Sequence, residues 1–177
     1  MVHYLYLVSQ FLKIKAHIGP LIKKVDIENN NYLWYSRNQQ ALINLNKLIT
    51  KVYLGILLIK HLTKKNKRIL FVTNKTEHFL FKNCFKSKRH SFFYGSWVSG
   101  SGFDSFLKIP KKPDLVFILD AKHFQNLARE CSFYDIPVFS VLNLEQKNKH
   151  YSYVIPGNTD NFFFIWFLLY LFYLESF

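Results

Sequence analysis

The histidines, cysteines and aspartates are the residues best suited to chemistry, and their spacing supports neither a catalytic nor a metal site. The seven histidines lack the spacing of metal ligands, and neither Cys84 nor Cys131 has a second thiol close by in the sequence. Asp114, Asp120 and Asp135 stand at predicted strand ends and caps, with no nucleophile near them. We therefore predict a protein that has no catalytic residues and uses no metal or cofactor.

One segment, Thr73 to Thr76, has some features of an anion-binding site. It follows an apolar run and precedes a helical pattern, so backbone N–H groups and Lys75 would face an anion there. The glycines of a phosphate-binding loop are absent. A small nucleotide-binding α/β enzyme is therefore the alternative to a protein without enzymatic activity.

The elements that would position such residues begin with an N-terminal arm. Apolar residues recur at helical spacing over 3–15, which predicts an amphipathic helix. Residues 32–35 and 41–45 read as two short strands on either side of a polar turn at 36–40. The arm should therefore contain a helix followed by a short β-hairpin.

From residue 46 onward the pattern is that of a parallel α/β domain. Asn46 is expected to cap a long helix through Thr63, with a buried face formed by Leu48, Ile49, Val52, Ile56 and Ile59. Near-continuous apolar strands then alternate with helices, as in a parallel sheet covered on both faces. The predicted strands are 68–72, 92–94, 115–119, 138–142 and 153–155, and the predicted helices are 76–85, 122–133 and 161–174.

These patterns predict a Rossmann- or flavodoxin-like α/β fold with a parallel sheet of about five strands and helices on both faces. We expect a single domain over 1–177, with 1–45 as the N-terminal arm and 46–177 as the α/β core. The thirteen apolar residues 162–174 are fewer than the roughly 20 that a transmembrane helix needs. We predict a buried helix there, with a membrane anchor as the alternative.

The charge is large and uneven. The chain carries +13, with 20 Lys and Arg against 4 acids over 1–112 and 4 against 7 over 113–177. A compact chain holds such an excess of like charge only at a cost in self-repulsion, unless a polyanion neutralises it. A polyanionic partner should therefore meet the N-terminal two thirds of the chain.

Codon bias is visible in the composition. Phe, Tyr, Ile, Asn and Lys, whose codons begin with two A or T bases, occupy 78 of 177 positions. The first fifteen residues lack the composition of a transit peptide or a secretory signal. These observations predict a gene inside an organelle with an A+T-rich genome.

Seven short segments follow one another along nearly the whole chain in an order that carries a resemblance. They are 16–19, 32–38 with 43–45, 69–72 with Lys75, Trp97 with Gly100 and Phe103, 113–116 with Asp120, 136–138, and 153–158 with Asp160. In this order they resemble the family of small-subunit ribosomal protein two, the universal S-two family. Several of these segments contain Gly, Pro or Trp residues, which the codon bias disfavours.

The chain also departs from the family pattern. Only about ten residues, Phe103 to Lys112, lie where the family normally inserts a projecting helical hairpin, so we expect that hairpin to be absent. Leu21 to Glu28 replaces the usual Trp-Asn-Pro stretch. The resemblance therefore implies a trimmed member of the family.

The resemblance implies a structural constituent of the small subunit of an organellar ribosome, without enzymatic activity. Its partners would be small-subunit rRNA and other small-subunit ribosomal proteins, and we expect neither membrane insertion nor a homo-oligomer. The organelle is expected to be a mitochondrion, with a plastid as the alternative. The residues expected to bind RNA are Lys13, Lys15, His17, Lys23, Lys24, Arg37, Asn38, Lys64, Lys65, Lys67, Arg68, Lys75, Lys86, Lys88 and Arg89.

Three of the aromatic residues allow two interpretations. His17 could contact a phosphate or could turn the chain before Gly19. Trp34 and Trp97 could stack on bases, but large rings fill sheet surfaces well, so we favour the hydrophobic core for both.

Overall fold

Two sheets and four α-helices make up the part of the chain that the computed structural model describes, residues 2–73, 90–97 and 112–176. In chain order the elements are α1 Val2–Lys13, β1 Ile18–Leu21, β2 Leu33–Arg37, β3 Gln40–Ile43, α2 Leu45–Lys64, β4 Ile69–Thr73, β5 Ser91–Tyr94, β6 Leu115–Ile118, α3 Gln125–Phe133, β7 Val138–Leu142, β8 Tyr153–Pro156 and α4 Phe162–Ser176. Two short 3-10 helices, Ile22–Lys24 and Ile27–Tyr32, connect β1 to β2. The predicted helix 76–85 lies outside the described residues.

The larger of the two sheets has five parallel strands in the order β5-β4-β6-β7-β8. This order is that of flavodoxin-like folds. β4 comes first in the chain, β5 pairs on one side of it, and β6, β7 and β8 follow on its other side. Every residue of β4, β6 and β7 is buried. The predicted parallel α/β fold is thus confirmed.

Alternate residues of each strand face opposite sides of this sheet, and a helical layer covers each side. Phe71, Phe117 and Phe139 face α1, α2 and α4 in the larger hydrophobic cluster. Val72 and Ile118 face the other way, toward a cluster that includes residues of α3. The predicted helices on both faces are therefore present.

Helix α2 begins two residues earlier than predicted. Its N-cap is Asn44, whose side-chain oxygen accepts a hydrogen bond from the Lys47 backbone N–H at 3.2 Å. Asn46, the predicted cap, lies inside the first turn, because β3 ends at Ile43 and the chain enters the helix directly from the strand. The predicted buried face is confirmed at all five positions, Leu48, Ile49, Val52, Ile56 and Ile59.

Helix α3 also differs from its prediction at its start. It begins at Gln125 rather than at Lys122. The Asp120 carboxylate accepts a hydrogen bond from the Lys122 backbone N–H at 3.0 Å and contacts the His123 ring, which holds the chain in a turn before the helix. The loop after β6 is therefore longer than the sequence indicates.

The predicted C-terminal helix is present as α4. Asn161 caps it by accepting hydrogen bonds from the backbone N–H groups of Phe163 and Phe164, at 3.1 and 3.4 Å. Its buried side includes Phe164 and Phe172, and no helix within the described ranges is long and apolar enough to cross a membrane.

The smaller sheet is antiparallel and has three strands in the order β1-β3-β2. The sequence predicts β2 and β3 but not β1, whose Gly19-Pro20 dipeptide is untypical of a strand. The turn of the hairpin contains two residues, Asn38 and Gln39, instead of the five predicted. Ala41 and Ile43 of this sheet join the larger hydrophobic cluster of the α/β core.

Candidate nucleic-acid interface

The β2–β3 hairpin ends in an exposed polar tip. Every residue from 34 to 40 is exposed. Asn38 and Gln39 have φ values of 50° and 63°, and positive φ at both central positions lets a two-residue turn follow the twist of its strands. Arg37 lies opposite Gln40 at the base of this turn. The hairpin therefore presents Arg37 and Asn38, both predicted RNA contacts, at its tip.

Two large aromatic side chains lie on β2 beside this tip. Trp34 is 73% exposed and Tyr35 is 59% exposed. The preference for Trp34 as a core residue is therefore wrong. The physical reason is that β2 is an edge strand of a small sheet, and no layer of the described structure covers residues 34–37 on either face. Exposed rings of this kind are suited to stacking on nucleic-acid bases.

Trp97 has a different environment from Trp34. Its ring packs against Phe93 with a centroid distance of 5.5 Å and contacts the hydrophobic cluster that includes residues of α3. Its Nε1–H donates a hydrogen bond to the Glu130 carboxylate at 2.9 Å. Trp97 is half-buried, so it packs against the core as predicted but is not enclosed by it.

Lys23 and Lys24 lie close to the hairpin tip, although the sequence separates them from it. Strand β1 pairs with β3, and the Ile22 backbone N–H donates a hydrogen bond to the Gln39 carbonyl at 2.8 Å. The two exposed lysines follow directly in a 3-10 helix. We call Lys23, Trp34, Tyr35, Arg37 and Asn38 together the hairpin surface; Lys24 instead lines a neighbouring cavity.

Lys13, Lys15 and His17 lie at the opposite end of β1. Lys13 ends α1, and Lys15 takes a left-handed conformation, with φ of 57°, as the chain leaves the helix. Both lysines are exposed. The four residues of β1, a strand about 13 Å long, separate these two cations from Lys23 and Lys24.

His17 anchors the arm through its backbone. Its carbonyl accepts a hydrogen bond from the Ile43 N–H at 2.8 Å, while its Nδ1 is buried and has no partner within the described structure. Burial lowers the pKa of the imidazole. Burial therefore favours the neutral ring, which can offer a phosphate a hydrogen bond but no charge.

Lys64, Lys65, Lys67 and Arg68 form a second cluster, where α2 ends and the chain enters β4. Lys67 Nζ pairs with Asp114 Oδ1 at 3.0 Å, and the Arg68 backbone N–H donates to Asp114 Oδ2 at 2.8 Å. The hydrogen bond from Arg68, followed by the pairing with Lys67, lowers the pKa of Asp114. Lys64, Lys65 and Lys67 are all exposed, but Lys67 already pairs with Asp114, so Lys64 and Lys65 are more available to a phosphate.

The structure keeps the two basic clusters apart. The base of the β2–β3 hairpin leads into the start of α2, and the second cluster lies at the end of that helix. A 20-residue helix spans about 30 Å. One nucleic-acid ligand would need to extend along the whole helix to touch both clusters. The other predicted contacts, Lys75, Lys86, Lys88 and Arg89, lie outside the described residues, as does most of the Thr73–Thr76 segment.

A family model named Ribosomal protein S2 matches residues 11–104 and 101–173. The two matches cover most of the chain, including both basic clusters and the strands of the parallel sheet. The chain belongs to the ribosomal protein S2 family. This family is structural and non-enzymatic, so the alternative of a nucleotide-binding enzyme is set aside.

Curated relatives agree with the assignment to the ribosomal protein S2 family. The small ribosomal subunit protein uS2 of Buchnera aphidicola subsp. Schizaphis graminum is 23% identical over 84% of this chain and 80% of its own length. The Porphyromonas gingivalis protein uS2 is 24% identical, over 86% and 71%. The Karelsulcia muelleri protein uS2 is 20% identical, over 89% and 92%.

Two exposed side chains near the N-terminal arm, Tyr35 and Lys122, are not among the site residues that the sequence predicts. Tyr35 is an exposed aromatic on an edge strand, and the strand's position at the edge was not visible in its own residues. Lys122 lies in a loop at the carboxyl edge of the parallel sheet, where it faces the N-terminal arm. The sequence signal for Lys122 is its place in the loop after a predicted strand, because α/β folds place their sites in such loops.

Proposed function

We propose that this chain is a structural constituent of the small subunit of a mitochondrial ribosome and that its hairpin surface binds the rRNA. The role in the small subunit follows from membership of the ribosomal protein S2 family. The organelle is supported by codon bias, with 78 of 177 residues of five A+T-coded types.

The observation that carries the RNA-binding part of the proposal is the composition of the hairpin surface. Lys23 and Arg37 supply charge for phosphates, and Trp34 and Tyr35 supply exposed rings beside them. RNA is recognised by this combination, because phosphate attraction gives affinity and unpaired bases stack on aromatic side chains. The net charge of +13 favours the same partner.

Sedimentation of a mitochondrial lysate tests the main proposal. The chain should travel with the small ribosomal subunit and be released at high salt, because phosphate contacts weaken as counterions compete. A pool of the chain that sediments slowly at low salt would contradict the proposal. Recovery with a plastid ribosome in a parallel fractionation would keep the ribosomal role and overturn the choice of organelle.

Variants of the hairpin surface test the RNA contact. Arg37→Ala should weaken binding of the purified chain to small-subunit rRNA and reduce the slope of log affinity against log salt by about one. Trp34→Ala should weaken binding by about 1–3 kcal/mol through lost stacking and leave the salt slope unchanged. Lys147→Ala, an exposed lysine in a C-terminal loop, is the matched control and should have little effect. Equal effects of Arg37→Ala and Lys147→Ala would refute a specific role for the hairpin.

A further inference from the structure

A polar cavity of about 290 Å³ lies at the carboxyl edge of the parallel sheet, between that sheet and the N-terminal arm. Lys122 follows β6, Asn143 and Glu145 follow β7, and Asn158 and Asp160 follow β8. β1 and the 3-10 helix after it close the cavity with Gly19, Pro20, Leu21 and Lys24. Ligands of α/β folds bind outside the carboxyl ends of the strands, and this cavity lies at that edge, beside the switch point between β4 and β6.

The cavity holds charges of both signs that do not neutralise each other directly. Lys24 and Lys122 line it together with Glu145 and Asp160. Among the described residues, the ion pairs within 4.0 Å are Lys67 with Asp114 and His123 with Asp120, so none of the four cavity charges forms one. The cavity therefore offers two cationic donors and two anionic acceptors to one ligand.

Asn143 adds a buried amide to this lining. It is 3% exposed, and its Oδ1 has no hydrogen-bond partner within the described structure. Its backbone is fixed, because its N–H donates to Gln146 Oε1 at 3.2 Å and its carbonyl accepts from the Gln146 N–H at 3.0 Å. A buried amide oxygen without a donor is destabilising, and a hydrogen-bond donor on a ligand would relieve that cost.

We propose that this cavity binds one unpaired ribonucleotide. Lys24 and Lys122 would hold its phosphate, since ammonium groups are strong donors to phosphate oxygens. Glu145 and Asp160 would accept hydrogen bonds from ribose hydroxyls or from an exocyclic amino group, and acidic side chains hold ribose hydroxyls in other α/β folds. The two ammonium groups disfavour a bare metal cation, and the four charges disfavour an apolar ligand.

The size and the position of the cavity agree with a single nucleotide. Its volume is near the lower limit of about 300 Å³ for small-molecule pockets, which suits one nucleotide but not a helix of a partner protein. Lys24 directly follows Lys23 of the hairpin surface, so RNA on that surface could extend one nucleotide into the cavity. In this form the inference rests on the proposed function, whereas a free nucleoside monophosphate would have the same chemistry.

Two experiments distinguish these sources. Ultraviolet cross-linking of the small subunit, followed by mass spectrometry, should place an RNA adduct on the peptide that contains Lys122, which lies outside the hairpin surface. Calorimetric titration of the purified full chain with each nucleoside 5′-monophosphate and its 2′-deoxy form measures binding of the free ligand. An adduct supports a nucleotide of the rRNA, and saturable binding to the free chain without an adduct supports a free nucleotide.

Three variants, each checked for folding by circular dichroism, make the assignment specific. Lys122→Ala should reduce affinity or adduct yield about tenfold, because one charged hydrogen bond to phosphate is lost. Asp160→Asn should reduce the ratio of the affinity for a ribonucleotide to the affinity for its 2′-deoxy form. Lys149→Ala, exposed and outside the cavity, should change neither quantity.

The inference is overturned if neither experiment detects a nucleotide in the cavity, or if Lys122→Ala behaves like Lys149→Ala in both. Such a result in chains that still sediment with the small subunit would leave the proposed function intact. If the wild-type chain does not sediment with the small subunit at low salt, the proposed function is refuted. The calorimetric titration alone would then test whether the cavity binds a nucleotide.

Discussion

Replacing Gly55 with alanine should destabilise this chain, although alanine is the better helix former. Gly55 is buried on the face of α2 that packs on the parallel sheet. A Cβ at this position would lie 2.6 Å from Phe139 Cζ, 3.3 Å from Phe139 Cε1 and 3.4 Å from Phe172 Cε1. The Phe139 ring has little room to retreat, because it stacks on Phe117 with a centroid distance of 4.6 Å and packs edge-on against Tyr153 at 5.0 Å.

The expected magnitude is the difference between two opposing effects. Alanine stabilises a helix interior by about 1 kcal/mol relative to glycine. Overpacking a well-packed core is destabilising by about 1–3 kcal/mol. A separation of 2.6 Å is far below van der Waals contact, so we expect a cost near the upper end of that range. The Gly55→Ala chain should therefore have a free energy of unfolding about 1–2 kcal/mol lower than that of the wild type.

Urea unfolding followed by far-ultraviolet circular dichroism measures this change, and a second background isolates its cause. Phe139→Leu removes the outer ring atoms, including the Cζ that the new Cβ would approach. In that background Gly55→Ala should be neutral or stabilising, which gives a coupling free energy of about 2 kcal/mol in a double-mutant cycle. If Gly55→Ala stabilises the wild type, or is equally harmful in both backgrounds, the contact with Phe139 does not limit how closely α2 approaches the sheet.

Two further predictions concern the helix cap and the buried thiol. Because Asn44 is the N-cap of α2, Asn44→Ala should lower the free energy of unfolding in urea by about 1 kcal/mol. Asn46→Ala should lower it by less than half as much. Equal losses in the two variants would contradict the assignment of Asn44 as the cap. Burial raises the pKa of Cys131 to about 12, so in a Cys84→Ser chain its thiol should be inert to a thiol reagent at pH 8 until the chain is unfolded. Above pH 9 the folded chain keeps the proton on Cys131 that the unfolded chain releases. The contribution of this group to the free energy of unfolding should therefore be constant below pH 9 and fall between pH 9 and 12. Urea titrations at a series of pH values should show a smaller fall for Cys131→Ala.

The parallel sheet is the part of the fold that local sequence predicts best. Leu115–Ile118 is an unbroken apolar run and Val138–Leu142 is apolar except for the buried Ser140, because strands covered on both faces have no solvent-facing side. The α2 face was predictable for the same kind of reason, since its buried residues recur at helical spacing. Each of these signals depends on the segment alone.

The sequence fails where a distant segment decides the outcome. β1 contains Gly19 and Pro20 and becomes a strand only because β3, some twenty residues later, pairs with it. Trp34 is exposed because its strand lies at the edge of the small sheet, which a pattern of residues within the strand does not encode. Lys67 reads as a free cation in the sequence, yet it pairs with Asp114 from the start of another strand.

The amino-acid sequence by itself determined the types of the elements, the uneven charge and the resemblance to a ribosomal family, because each is carried by local periodicity, by composition or by the order of short motifs. Only the tertiary structure decided which of the charged side chains share a surface. Lys24 and Lys122 are almost a hundred residues apart and line one cavity because the N-terminal arm packs against the carboxyl edge of the sheet. Such proximity depends on how buried faces pack together, and the spacing of residues along the chain does not record it.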